Sequence, residues 1–310
     1  MGNATVFTFI ITFTVEFITG TLLNGFILGV NCVDLVKRRK ISTMDQIITA
    51  LAISRVVLCL VVLSALLSLA YSEKVTIELV KIIIISWVVT NHFNLWLSTK
   101  LSMFYFFKIV NFSNSIFLYL KWRVTKVISV TLILSLVLLF SHVAVINIRI
   151  DAWIDASRRN LSFHSSSRNS AQFVINLLLT NTLFSFMPFT VSLTAFLLLS
   201  LSLWKHHRQM QTHSRSSRDA RAAAHVKALQ TGIGFLLLYT TFLLCLFINI
   251  WSIDFLGKYV TAFLSIVTGT AFFSLHSCVL ILGNSKLKRA SFSVLWWLRC
   301  RSKGAGSSGP

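Results

Sequence analysis

Charge is what this chain has least of. Only 12% of its 310 residues are Asp, Glu, Lys or Arg, where a soluble domain carries about 25%. Set beside 55% hydrophobic residues and a mean hydropathy of +0.77, that deficit excludes a water-soluble fold. Acid is scarcer still, with nine Asp and Glu against 29 Lys and Arg. Proline is nearly absent, Pro188 and Pro310 being the two, so little except loops interrupts long helices. The five cysteines, Cys32, Cys59, Cys245, Cys278 and Cys300, form no CxxC pair. None falls in a candidate extracellular loop, which speaks against a disulfide framework or a zinc site. Cys300, between Arg299 and Arg301, reads equally as a palmitoylation site and as a free thiol. No Lys or Arg precedes Lys37. The basic start of a cleavable signal peptide is therefore missing, and the first apolar stretch is expected to stay as a helix.

Catalytic constellations are missing too. Gly232 and Gly234 lack the rest of a nucleotide loop, and His206, His207 and His213 lie in a basic loop where solvated histidines are the simpler reading. No HExxH or GxSxG string occurs. No two carboxylates share an apolar stretch as they often do in proton-coupled transporters. No enzyme activity, cofactor or metal is expected. The formal charge of +20 does not point to nucleic acid, because the basic residues sit in short runs between apolar stretches and not on a soluble face.

What is present is a series of long apolar runs. A helix crossing a bilayer needs about 20 mostly apolar residues. Seven stretches qualify, at about 6–31, 46–70, 82–107, 127–148, 173–204, 226–253 and 259–282. They lack the alternating pattern of β-barrel strands. The fold class is an all-α membrane protein, a seven-transmembrane helix bundle forming one domain over 1–303. An amphipathic helix is expected at about 285–298, where Leu287, Phe292, Leu295 and Trp296 alternate with basic residues. The Gly/Ser-rich end, 304–310, is expected to be disordered and reads alike as a native tail or an expression scar.

Orientation follows from the basic residues. With the N-terminus outside, the first and second inner loops, the third inner loop and the tail hold 20 of the 29 Lys and Arg, and the outer side holds seven. Arg55 and Lys100 lie within spans. That asymmetry places the N-terminus outside and the C-terminus in the cytoplasm of a multi-pass protein.

Ionisable and amide side chains inside the spans are the candidate functional residues. Arg55 sits mid-span in the second stretch, and leaving it unpaired costs several kcal/mol, roughly 3 on insertion scales. Asn24 and Ser277 are at matching depths, so Arg55, Asn24 and Ser277 are expected to form a network holding the bundle together. Glu16, nearer the outside, either faces the bundle or reaches the headgroups. In the third stretch Trp87 and Asn91 are four residues apart and share a helix face, with His92 beside them. An aromatic and an amide on an inward face line a ligand cavity or simply pack helices; the span alone leaves both open. Lys100 lies nine residues from Asn91, about 180° round the helix. It is expected to face helix four or lipid, as a stability defect and not as a ligand group. Three sequons occur, beginning at Asn3, Asn111 and Asn160. The charge count puts Asn160 in an outer loop and Asn111 inside, so Asn160 is the expected glycosylation site.

Several strings, in order along nearly the whole chain, resemble the type-2 (bitter) taste receptors. They run through Leu51, Ala52, Ile53, Ser54 and Arg55; through 91–97 and 104–113; through 117–123 and 202–206; through His225, Val226 and Lys227; and through His276, Ser277 and 280–288. The resemblance implies a G-protein-coupled receptor at the plasma membrane. Its expected partners are small bitter agonists, a gustducin-type heterotrimeric G protein and the lipid bilayer, with no nucleic acid. It further implies an outer-half cavity between helices three, five, six and seven, with Trp87, Asn91, His92 and Ile266 as ligand-contact or pocket-support positions. Lys108, Lys121, His225 and Lys227 are expected to face the G protein. Four residues depart from the family pattern: Phe273 at a common proline position, Ala220 for a proline, Gln230 for a lysine, and Lys100 for a small or apolar residue. A solute transporter, the rival reading, would show internal repeats or broken helices with paired charges, and neither is detected.

Overall fold

The computed structural model describes residues 3–38, 41–71, 76–109, 122–159, 163–210 and 219–305. Lys121 and Asn160 lie outside the described residues, as do the side chains of Ala220, His225 and Lys227. Eight helices are described: α1 Asn3–Val36, α2 Thr43–Tyr71, α3 Ile77–Ile109, α4 Val124–Arg159, α5 Phe163–Met210, α6 Asp219–Trp251, α7 Ile253–Gly283 and α8 Ser285–Ala305. The first seven are each long and apolar enough to cross a membrane. No strand occurs among the described residues.

The bundle is apolar on its outer surface and holds polar groups, among them a charge, within an otherwise apolar interior. Phe140 is 73% exposed and Leu183 67%, while Arg55 is 1% exposed and Ser277 fully buried. Lipid solvates the first pair; only other helices can satisfy the second. Helix α3 is the hub, packing on α2, α4 and α5 and touching α6, while α1 closes the ring against α2 and α7. One core cluster joins α1, α2, α3, α6 and α7 around Tyr239, Phe242 and Phe272. A second joins α1, α2, α3, α7 and α8 around Leu51, Leu280 and Leu287.

The helices outrun the apolar stretches. Helix α4 continues to Arg159, and α5 spans 48 residues, Phe163–Met210, carrying Pro188 inside it without a break. A helix satisfies its own backbone, so polar flanks in the headgroup region extend it as readily as apolar ones. At two boundaries residues also change element relative to the sequence reading. Ile253, read as the end of the sixth span, belongs to α7. That helix opens after a turn at Ser252 and has one residue of non-helical geometry, Gly257, with φ +77°. That left-handed φ is open to glycine at little cost. No non-helical residue occurs at Phe273. The amphipathic helix runs to Ala305, beyond the expected 298, so the expected disordered tail from Gly304 begins inside α8.

At the junction of α7 and α8, Gly283 lets two helices approach, because a Cβ there would collide with Thr231 of α6. Asn284 follows and caps α8, its Oδ1 accepting from the N–H groups of Lys286 (2.9 Å) and Leu287 (3.3 Å).

Candidate functional site

Three polar regions stack along the bundle axis. The central one is built on Arg55. Its Nη1 donates to Ser277 Oγ at 2.6 Å, and Ser277 Oγ in turn donates to Asn24 Oδ1 at 2.9 Å. Asn24 Nδ2 donates to the Gly20 carbonyl at 2.8 Å. The structure therefore brings together the three residues that the sequence grouped by depth. It adds a fourth, His276, whose Nδ1 is 2.5 Å from Arg55 Nη2. The Arg55 guanidinium carbon also lies 5.9 Å from the centroid of the Phe273 ring. An aromatic face there offers the cation its quadrupole, where a proline would offer none. No ion pair of Arg55 is seen among the described residues.

Toward the N-terminal face, Trp87 is half-buried and packs on both the Tyr239 cluster and the α3–α4 cluster of Val88, Ile146 and Ile150. Ile266, also half-buried, packs against that same Tyr239 cluster. Trp87 and Ile266 thus border the same five-helix cluster. Asn91 is buried and donates from Nδ2 to Asn181 Oδ1 of α5 at 3.2 Å. His92 is buried beside it, turned to α4, and shares a cavity with Asn91, Trp96 and His142. Tyr239 is fully buried and ties α6 to α5 through its hydroxyl, which donates to the Ser185 carbonyl at 2.7 Å. Glu16 is half-buried, and its carboxylate accepts from the Thr270 hydroxyl of α7.

Toward the C-terminal face a narrow cleft opens between α3, α5, α6 and α7. Ser98, Ser102, Tyr105, Thr231 and His276 give it a polar lining, with Phe196 and Phe235 among its apolar walls. His276 therefore joins the cleft to the Arg55 network. Lys108, at this end of α3, is exposed, with its ammonium 5.7 Å from the Phe104 ring.

Some polar contacts escape a sequence reading. Lys286, one of the tail cations, reaches Asp34 Oδ2 at 2.6 Å and Asn31 Oδ1 at 2.8 Å, with Asp45 Oδ2 at 3.7 Å. It thereby pins α8 to the ends of α1 and α2. Two of the nine acids in the chain meet here, and that scarcity was the available signal. His142 lies inside the fourth apolar stretch, where an ionisable side chain is itself the signal. Lys100 is half-buried, and no hydrogen bond or ion pair of it is seen among the described residues.

Comparison with known proteins gives one coherent result. Residues 1–299 match the family model described as taste receptor protein (TAS2R). Taste receptor type 2 member 125 of Rattus norvegicus is 52% identical over 291 residues, covering 93% of each chain. Taste receptor type 2 member 14 is 51% identical in Macaca mulatta and 48% in Homo sapiens. Each of those matches spans 306 residues, 98% of this chain and 95% of the relative.

Proposed function

The chain belongs to the taste receptor family, TAS2R, and from that membership we propose how its three polar regions work together. It is a seven-helix taste receptor of the G-protein-coupled class. The single observation that carries the reading is a family match running through all seven helices.

In this reading the chain lies in the plasma membrane, N-terminus outside, with 20 of its 29 basic residues on the cytoplasmic side. Small bitter compounds bind in the outer half, against Trp87, Asn91, His92 and Ile266. The ligand need not be basic. Ile266 supplies no carboxylate, and Glu16 is already engaged by Thr270. Agonist favours an arrangement in which α5, α6 and α7 move relative to α3. The cleft on the C-terminal face, bounded by these four helices, then widens to admit a gustducin-type G protein. In this reading Lys108, Lys121, His225 and Lys227 serve as cationic or polar contacts to the G protein. The Arg55–His276–Ser277 cluster lies between ligand and cleft, so a shift of α7 changes both. Linkage requires that G protein raise agonist affinity by the factor by which agonist favours coupling.

The test is ligand-evoked calcium release in cells supplied with a gustducin-type chimeric G protein. A response that disappears when that G protein is withheld supports coupling; a response that persists without it contradicts this cycle.

A further inference from the structure

The proposed cycle shifts α7 relative to α3, and one contact at the C-terminal face resists that shift. Asn284 alone separates α7 from α8. Its N–H donates to the Leu280 carbonyl at 2.9 Å, its carbonyl accepts from the Lys288 N–H at 2.8 Å, and its Oδ1 caps the N–H of Lys286. Hydrogen bonding that continues across the junction makes the end of α7 and the first turn of α8 move as one piece. Lys286 belongs to that turn. Its ammonium reaches the other side of the bundle end, to Asp34 and Asn31 of α1 at 2.6 and 2.8 Å, with Asp45 of α2 at 3.7 Å.

The receiving groups are fixed by α1 and α2 themselves. Asp45 Oδ2 accepts from Ser42 Oγ at 2.8 Å, and Ser42 Oγ accepts from the Asp45 N–H at 3.1 Å, which caps the start of α2. Asn31 Nδ2 donates to Thr49 Oγ1 at 2.8 Å, and Thr49 Oγ1 donates to the Asp45 carbonyl at 2.6 Å. The Lys286 side chain is 32% exposed and those of both aspartates 17%, so water screens the contact only in part. The same helix end helps to close the cleft. Leu280 of α7 lines it together with Leu101 and Tyr105 of α3 and Thr231 of α6, and Gly283 lies against Thr231. Leu280, Leu101 and Leu287 also share one buried cluster. Moving α7 out of the narrow-cleft arrangement therefore carries Lys286 away from acceptors that stay with α1 and α2.

We propose that the contact of Lys286 with Asp34 and Asp45 is an autoinhibitory latch: it holds α7 and α8 in the narrow-cleft arrangement, and activation breaks it. The proposal rests on the reading of the chain as a G-protein-coupled receptor. A brace kept in both arrangements would favour neither, whereas a contact made in only one biases the equilibrium toward it. A partly exposed ion pair shifts such an equilibrium about twofold to fivefold. That is enough to lower signalling in the absence of agonist and too little to block activation.

The experiment uses purified full-length receptor in lipid nanodiscs and needs no agonist. One readout is loading of a non-hydrolysable GTP analogue onto a purified gustducin-type heterotrimer. The other needs no G protein: it is the rate at which a water-soluble maleimide labels Ser102→Cys, a cleft position, resolved from the native cysteines by peptide mass spectrometry. Lys286→Met and Asp34→Asn should each raise both rates about twofold to fivefold. Exchanging the charges, Lys286→Asp with Asp34→Lys, should bring both back toward wild type. The melting midpoint shows whether each variant is folded, and Asp34→Asn carries the test if Lys286→Met is not. Unchanged labelling in the single variants overturns the latch, as does a rise that the exchanged pair fails to reverse. Slower nucleotide loading with unchanged labelling overturns it in favour of a direct contact with G protein. Faster labelling without faster loading upholds the latch and counts against the coupling reading.

Discussion

Arg55 Nη2 lies 2.5 Å from His276 Nδ1, across the interface between α2 and α7. A guanidinium has five donors and no lone pair, so the imidazole nitrogen must accept, and the ring carries its hydrogen on Nε2. The buried cation is thus held by neutral acceptors, Ser277 and His276, beside the face of Phe273. Such a cluster is sensitive to loss of any one acceptor, because what remains is a buried charge with fewer partners.

His276→Leu should therefore destabilise the receptor by about 1–3 kcal/mol, the cost of an unmet buried donor. Ser277→Ala, which cuts the link from Arg55 to Asn24, should cost a similar amount. The thermal midpoint of purified receptor measures both. Adding Arg55→Leu to His276→Leu should cost less than the two single losses together, since the charge that needed the acceptor is gone. Strictly additive losses would mean that the two residues do not act on one another.

Much of this cluster was legible in the sequence. Asn24, Arg55 and Ser277 stand out as polar residues at matching depth in apolar runs, and the cost of burying charge in lipid forces them inward. Their fourth partner was less accessible. Depth along a helix follows from residue number, but which side chains meet across an interface depends on helix rotation, and that is set by packing. The same reason hid the Asn91–Asn181 pair and the Lys286–Asp34 contact. The cleft on the C-terminal face was illegible for another reason: a cavity is the space that packing leaves, and no local pattern encodes it. The helix count needed only hydropathy. The helix ends, by contrast, ran past the apolar stretches, because hydropathy marks where lipid begins and not where backbone hydrogen bonding stops.

Trp87→Ala should weaken agonist potency roughly tenfold to a hundredfold without lowering surface level. The lost contact of a half-buried indole is worth about 1–3 kcal/mol. Dose–response curves for several agonists, beside surface immunostaining, check this. Unchanged curves would remove Trp87 from the ligand site and leave it as packing between α3 and its neighbours.

Lys100→Leu should raise surface expression and leave potency nearly unchanged. The lysine is half-buried within α3, with no hydrogen bond or ion pair seen among the described residues. A lysine at mid-membrane costs up to roughly 3 kcal/mol. A fall in expression, or lost signalling at normal expression, would show that its ammonium has a functional partner.

Asn160 should carry an N-linked glycan in mammalian cells. The sequon Asn160-Leu161-Ser162 falls on the side that the charge count assigns to the exterior. Glycosidase should shift the wild-type band on a gel and leave Asn160→Gln unmoved. A wild-type band that the enzyme does not shift would count against the N-out orientation.

The most direct test of receptor function is nucleotide exchange in a reconstituted system: purified receptor in nanodiscs, a purified gustducin-type heterotrimer, and a neutral bitter agonist. Agonist-dependent loading of a non-hydrolysable GTP analogue is expected, shifted to higher agonist concentration by Trp87→Ala, with an agonist affinity that rises when the heterotrimer is present. Agonist that binds the receptor yet neither accelerates exchange nor gains affinity from the heterotrimer would contradict the account.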